Sequence, residues 1–122
     1  MPRIETGLDR ETTRARIDAE TSEAILNGFD YTVDGENLHF SYDRDDQQNF
    51  SDTANACLML KAGAQGLPES VTWNAYRPDG ELVRLALTAD AFLALYAAGA
   101  LAHKAACMAE GGARKEALEG GA

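Results

Sequence analysis

Residues 70–76 (SVTWNAY) run through 77–80 (RPDG) into 81–87 (ELVRLAL), and Thr88 then opens an alanine-rich helix. Val71, Trp73 and Ala75 alternate with Thr72, Asn74 and Tyr76, so the first segment reads as a strand with two distinct faces. Pro78 presets φ and Gly80 supplies positive φ, which makes Pro78-Asp79-Gly80 a turn. The return strand from Leu82 to Leu87 is apolar on both faces, which predicts that both are partly covered. Thr88 reads as a helix cap with Asp90 in the first turn. Behind it Phe92, Leu95, Tyr96, Gly99, Ala102, His103 and Ala106 recur at helical spacing. A hairpin followed by a capped helix is therefore the unit around which the chain is read.

The same pattern occurs once earlier. Phe29, Tyr31 and Val33 alternate with Asp30 and Thr32, and Asp34-Gly35 carries the positive φ of a type I′ turn. Leu38, Phe40 and Tyr42 then return, alternating with His39 and Ser41. Asp43 caps a helix with Asp45 and Asp46 in its first turn, and Gln47, Phe50, Ala54, Cys57, Leu58 and Lys61 hold helical spacing up to Ala62-Gly63. A helix from Thr12 or Thr13, with Ile17, Thr21, Ala24 and Ile25 on one side, ends at Asn27-Gly28. The predicted fold class is α+β: two antiparallel β-hairpins alternating with helices (α-ββ-α-ββ-α), the hairpins joined in one sheet. The expected division is a flexible N-terminus at 1–13, a single domain at 14–110, and a tail at 111–122. In that tail Gly111-Gly112 breaks the last helix, 113–119 resumes as a short one, and 120–122 is disordered.

At 122 residues the chain fits one domain. A chain of this size buries roughly two-thirds of its unfolded surface, enough to fold without disulfides or metal. The formal net charge of −9 disfavours nucleic acid and an anionic membrane surface as partners. Met1-Pro2-Arg3-Ile4-Glu5 opens no apolar run, and His103 and Lys104 interrupt the apolar residues 91–109. The expectation is a cytoplasmic protein with no membrane span. Cys57 and Cys107, 50 residues apart in apolar helical patterns, are expected as reduced, packed thiols.

No constellation of residues stands out as catalytic, and neither a cofactor nor a metal is expected. His103 and Cys107 lie four apart and share a helix face; with His39 or Cys57 they are the best metal candidates, yet no tight ligand pair is present. Asp43, Asp45 and Asp46 resemble half of a calcium loop but lack its glycine and its final glutamate, so helix capping explains them better. Phe29, Tyr31, Phe40 and Tyr42 have the alternation of a base-stacking platform, against which the charge argues; a core face is the simpler reading. Small side chains in 91–109 allow close helix packing, so this helix is the candidate surface for a homo-oligomer. The candidate protein-binding surface is Asn74, Tyr76, Arg77 and Arg84, polar or aromatic groups displayed on a rigid hairpin.

Several stretches together resemble a known family. Ile17-Asp18-Ala19-Glu20 leads into 25–31 (ILNGFDY), similar to that family's helix and strand entry. Asp34-Gly35 with Leu38-His39-Phe40, residues 45–49 (DDQQN), Val71-Thr72-Trp73, 85–93 (LALTADAFL) and His103 follow in the family's order, and the likeness covers 14–117. The family is a domain of unknown function found in bacteriophage and prophage tail-region proteins, often at the C-terminus of tail fibre, baseplate or tail-assembly proteins. The resemblance implies a non-enzymatic tail-associated structural or assembly accessory protein that binds a tail or baseplate component in the bacterial host cytoplasm or on the virion. It implies no functional residues. Almost nothing precedes the matching stretch, which suits a small stand-alone protein better than a fibre. Two other expectations are an acidic decoy for a basic host protein, from the charge, and a small metal-dependent enzyme using His103 and Cys107.

Overall fold

Asp34 and Gly35 adopt φ of 52 and 79, the left-handed pair that a two-residue hairpin loop requires. They join β1 (Phe29–Val33) to β2 (Glu36–Phe40). The second hairpin joins β3 (Ser70–Tyr76) to β4 (Leu82–Thr88), closed by the Arg77 amide donating to the Glu81 carbonyl at 2.9 Å and the Gly80 amide to the Arg77 carbonyl at 2.8 Å. Preceding the first hairpin is α1 (Gly7–Leu26), and between the hairpins lies α2 (Arg44–Lys61). A last helix runs without a break as α3 (Ala89–Ala94), a π-helical segment (Leu95–Leu101) and α4 (Ala102–Gly120). The computed structural model describes residues 7–120. The fold is α+β, helix-hairpin-helix-hairpin-helix, and all four strands form one antiparallel sheet in the order β1-β2-β3-β4.

The caps stand where the sequence puts them. Asp43 and Asp46 form a reciprocal capping box, each carboxylate accepting the other's backbone amide, at 2.8 and 3.1 Å. The Thr88 hydroxyl accepts the Ala91 amide at 3.1 Å. Gly28, just beyond α1, has φ of 85, and a Cβ there would lie 2.2 Å from the Phe40 carbonyl oxygen. Only glycine lets the chain turn this close to β2.

One face of the sheet carries the core. Phe29, Leu38, Phe40, Ala75 and Leu87 point inward with Trp73, Val71, Val83 and Leu85 beside them. Phe50 from α2 enters this layer and lies 4.4 Å from Trp73, 5.5 Å from Tyr42, 5.6 Å from Phe92 and 5.9 Å from Phe29, ring centre to ring centre. In the π-helical segment Leu95, Gly99 and Ala100 are all buried. Positions five apart share a side in that wider turn, so Leu95 and Ala100 both reach the core.

Four expectations change. β4 is covered on one face only: Leu82 is 49% exposed, and Arg84 and Ala86 are exposed with it. β2 ends at Phe40, and Tyr42 turns into the core outside the strand. Helix α1 starts at Gly7, inside the stretch expected to be flexible, and α4 passes straight through Gly111-Gly112. The cause is mutual. A Cβ on Gly111 would lie 2.4 Å from the Thr21 hydroxyl oxygen, so the missing side chain lets α4 close on α1. Arg14 with Glu119, Lys115 with Asp18, and Arg114 with Glu20 at 2.7 Å then bind the two helices along their length. The expectations for residues 1–6 and for Gly121 and Ala122 lie outside the described residues. Finally, as one unbroken helix, Ala89–Glu119 is long and apolar enough to cross a membrane by length and composition. Here Phe92, Leu95 and Ala100 of this helix are buried in the core.

Candidate binding face and groove

Among the described residues no helix covers the outward face of the sheet. Asn74 pairs with Arg84 across β3 and β4, Tyr76 pairs with Leu82, and Tyr76 also meets His39 of β2. Three of the four expected residues, Asn74, Tyr76 and Arg84, line one polar hollow of about 550 Å³. Arg77 is set apart. Its guanidinium is hydrogen-bonded to Glu36 of β2 and lies 3.0 Å from Glu81, and those two carboxylates raise its pKa. Arg77 therefore ties the second turn to the first hairpin.

The far wall of the hollow was not foreseen. Asp46, Asn49 and Thr53 of α2 form it, with Ser41 at the end where β2 gives way. Spacings of three and four put these side chains on one side of the helix, next to the buried stripe of Phe50, Ala54 and Cys57. That spacing is readable in sequence; that this side faces β3 is not. A second hollow of about 360 Å³ shares Thr53 and Thr72 with the first and is lined further on by Ala56, Cys57, Leu67 and Val71. Together they make one groove between α2 and β3, polar at the Arg84 end and apolar at the Cys57 end.

Electrostatically the groove is lined by two carboxylates, Asp46 and Asp52, and one cation, Arg84. The Asp46 carboxylate accepts the Asp43 amide, and the Asp52 carboxylate accepts the Gln48 side-chain amide at 2.8 Å. Arg84 has no ion pair or hydrogen bond from its side chain among the described residues. On the same outward face His39 and Asp30 pair at 2.9 Å.

The metal candidates are scattered. His39 lies on the outward face of the sheet, while His103 lies on the core side, its ring 5.8 Å from Phe29. The His103 Nε2–H donates to the Ile25 carbonyl at 3.1 Å, closing the end of α1. Cys107 lies 3.8 Å from His103 Nδ1, and Cys57 is buried in the core. Burial pushes both thiols up, Cys107 with help from Glu110, which keeps them protonated at neutral pH. Among the described residues no group of three or more His, Cys, Asp or Glu is placed to hold a metal ion.

A small α+β domain with helices on one face of its sheet and an open groove between α2 and β3 is the class this geometry defines. The chain matches the family described as Domain of unknown function (DUF4376) over residues 9–122, and it belongs to that family. No curated protein and no solved structure matches it.

Proposed function

We propose that this chain is a non-enzymatic accessory protein of a bacteriophage or prophage tail, structural or assembly-related, that binds another tail component. The setting comes from the sequence resemblance to tail-region domains. The observation that carries the binding role is the uncovered sheet face, where Asn74, Tyr76 and Arg84 converge on one polar hollow. Tyrosine and arginine are favoured anchors at protein interfaces, and a rigid hairpin holds them in place. The carboxylates are spread over every helix and both hairpins, which gives no support to an acidic decoy. The test is co-purification from induced host cells with mass spectrometry of the retained proteins and of purified particles. A tail or baseplate protein retained in stoichiometric amount is the expected result; no tail protein in either experiment overturns the reading.

A further inference from the structure

The inner edge of β3 is only partly used. The Arg77–Glu81 hydrogen bond sets the alternation of the β3–β4 ladder, so Val71, Trp73 and Ala75 turn their amides and carbonyls toward β4. Ser70, Thr72, Asn74 and Tyr76 turn theirs the other way. The two-residue loop of the first hairpin likewise turns His39 toward β3, and His39 meets Tyr76. There the pairing of β2 with β3 stops, because the chain leaves the sheet at Ser41 to enter α2. Among the described residues the β2–β3 ladder is limited to the His39–Tyr76 pair, and no turn or loop hydrogen bond reaches the backbone of Thr72 or Asn74 on this edge. Peptide groups of this kind template the addition of another strand. The groove described above lies along this same edge, with one side of α2 as its opposite wall.

We propose that the β3 edge from Ser70 to Asn74 is a strand-acceptor site for an extended segment of a partner protein that alternates apolar and polar side chains, with one carboxylate among the polar ones. The partner backbone completes the hydrogen bonds of Thr72 and Asn74. Side chains of an added strand alternate between faces. Those pointing inward enter the hollow of Ala56, Cys57 and Val71, and the one beside Asn74 points outward into the row of Asn74 and Arg84. A carboxylate there meets Arg84, the one cation lining the groove and without an ion pair, whereas the Asp46 and Asp52 carboxylates already accept amide N–H groups. The inference rests on the reading of the chain as a binding module and names the partner's chemistry.

The test uses the full chain, labelled with ¹⁵N, and a synthetic peptide of alternating valine and threonine with one central aspartate. Binding is expected to shift the Thr72 and Asn74 amides and slow their hydrogen exchange at least about tenfold. Methylating the peptide amides on its pairing edge should abolish the effect, and this control leaves the protein untouched. Thr72→Pro removes an amide that β4 does not use, and it should weaken binding at least about tenfold. Replacing the aspartate by asparagine should weaken binding in the wild type and make no difference in Arg84→Ala. No protection of Thr72 and Asn74 at millimolar peptide, or equal binding of the methylated peptide, overturns the proposal. So does protection of this edge by a second copy, seen as a dimer in sedimentation without peptide. The two readings fail separately. Peptide pairing at this edge with no tail component retained from cells overturns the tail assignment alone. A tail component retained equally by the wild type and by Thr72→Pro overturns the strand-acceptor site alone.

Discussion

Around Phe50 the rings of Phe29, Tyr42, Trp73, Phe92 and Tyr96 meet within 6.1 Å of its centre, and Phe50 itself is fully buried. Along α1 and α4 the contact is of another kind. Ile17 and Gly111 are its buried residues between Asp9 and Glu23 and beyond Cys107, and charged pairs with 40% or more of each side chain exposed flank them. The first region is held by desolvation of large rings, which is worth kilocalories per residue. The second is held by close backbone approach and by ion pairs that solvent screens, each worth at most about 1 kcal/mol. The comparison teaches that the sheet and its aromatic layer form the rigid platform, and that the helix pair is an addition whose stability is local. The candidate groove belongs to the platform.

The largest expected effect is at Phe50. Phe50→Ala should lower stability by about 3–5 kcal/mol, measured by urea unfolding with Trp73 fluorescence. A loss under about 1 kcal/mol would mean that the rings are held by their helices alone. Gly28→Ala comes next, with an expected loss of about 1–3 kcal/mol, because the new side chain meets the Phe40 carbonyl in a left-handed backbone. In the helix pair two adjacent glycines should respond with opposite signs. Gly111→Val should cost about 1–2 kcal/mol and reduce helicity while leaving Trp73 fluorescence unchanged. Gly112→Ala should gain about 0.5–1 kcal/mol, since no atom outside its own helix lies within 4 Å of the added Cβ. Equal responses would break the distinction between the two positions.

The smallest effect concerns pH. Burial raises the Cys57 and Cys107 thiols above their ordinary 9.0 and the Tyr42 hydroxyl above 10.0. The folded chain therefore keeps these protons longer than the unfolded chain does. Their contribution is whole below about pH 9 and is lost as the pH rises through the folded values. Urea midpoints should fall above about pH 9. The slope should persist in Cys107→Ala and flatten in Cys57→Ala, because Cys57 lies in the platform and is the more deeply buried thiol.

What was legible in sequence was local. Asp34-Gly35, Pro78-Asp79-Gly80, Asp43 and Thr88 each act within four residues of themselves, and each stands where the pattern puts it. The lengths of α1 and α4 were not legible, because either end is held by the other helix across nearly a hundred residues. For the same reason Gly111 reads as a breaker in sequence and acts as a spacer in the fold. The π-helical turns shift the phase of the Leu95–Leu101 stripe, which no single residue announces. Asn74, Tyr76 and Arg84 fall on one face of the sheet because alternation fixes which face a strand residue takes. The groove they line was missed because it depends on β2 parting from β3 after the His39–Tyr76 pair, a long-range event. The pairing of Arg77 depends on the same kind of information: Glu36 lies 41 residues away.

The most direct measurement is a parallel co-purification of wild-type chain and Arg84→Glu from induced host cells, with the retained proteins identified and quantified. Arg84 is exposed and has no side-chain partner within the described fold, so the substitution should leave folding unchanged by circular dichroism. The account predicts a tail component held by the wild type and reduced at least about tenfold by Arg84→Glu, corresponding to a loss of about 1.4 kcal/mol or more. Equal retention by both proteins, or retention by neither, would contradict it.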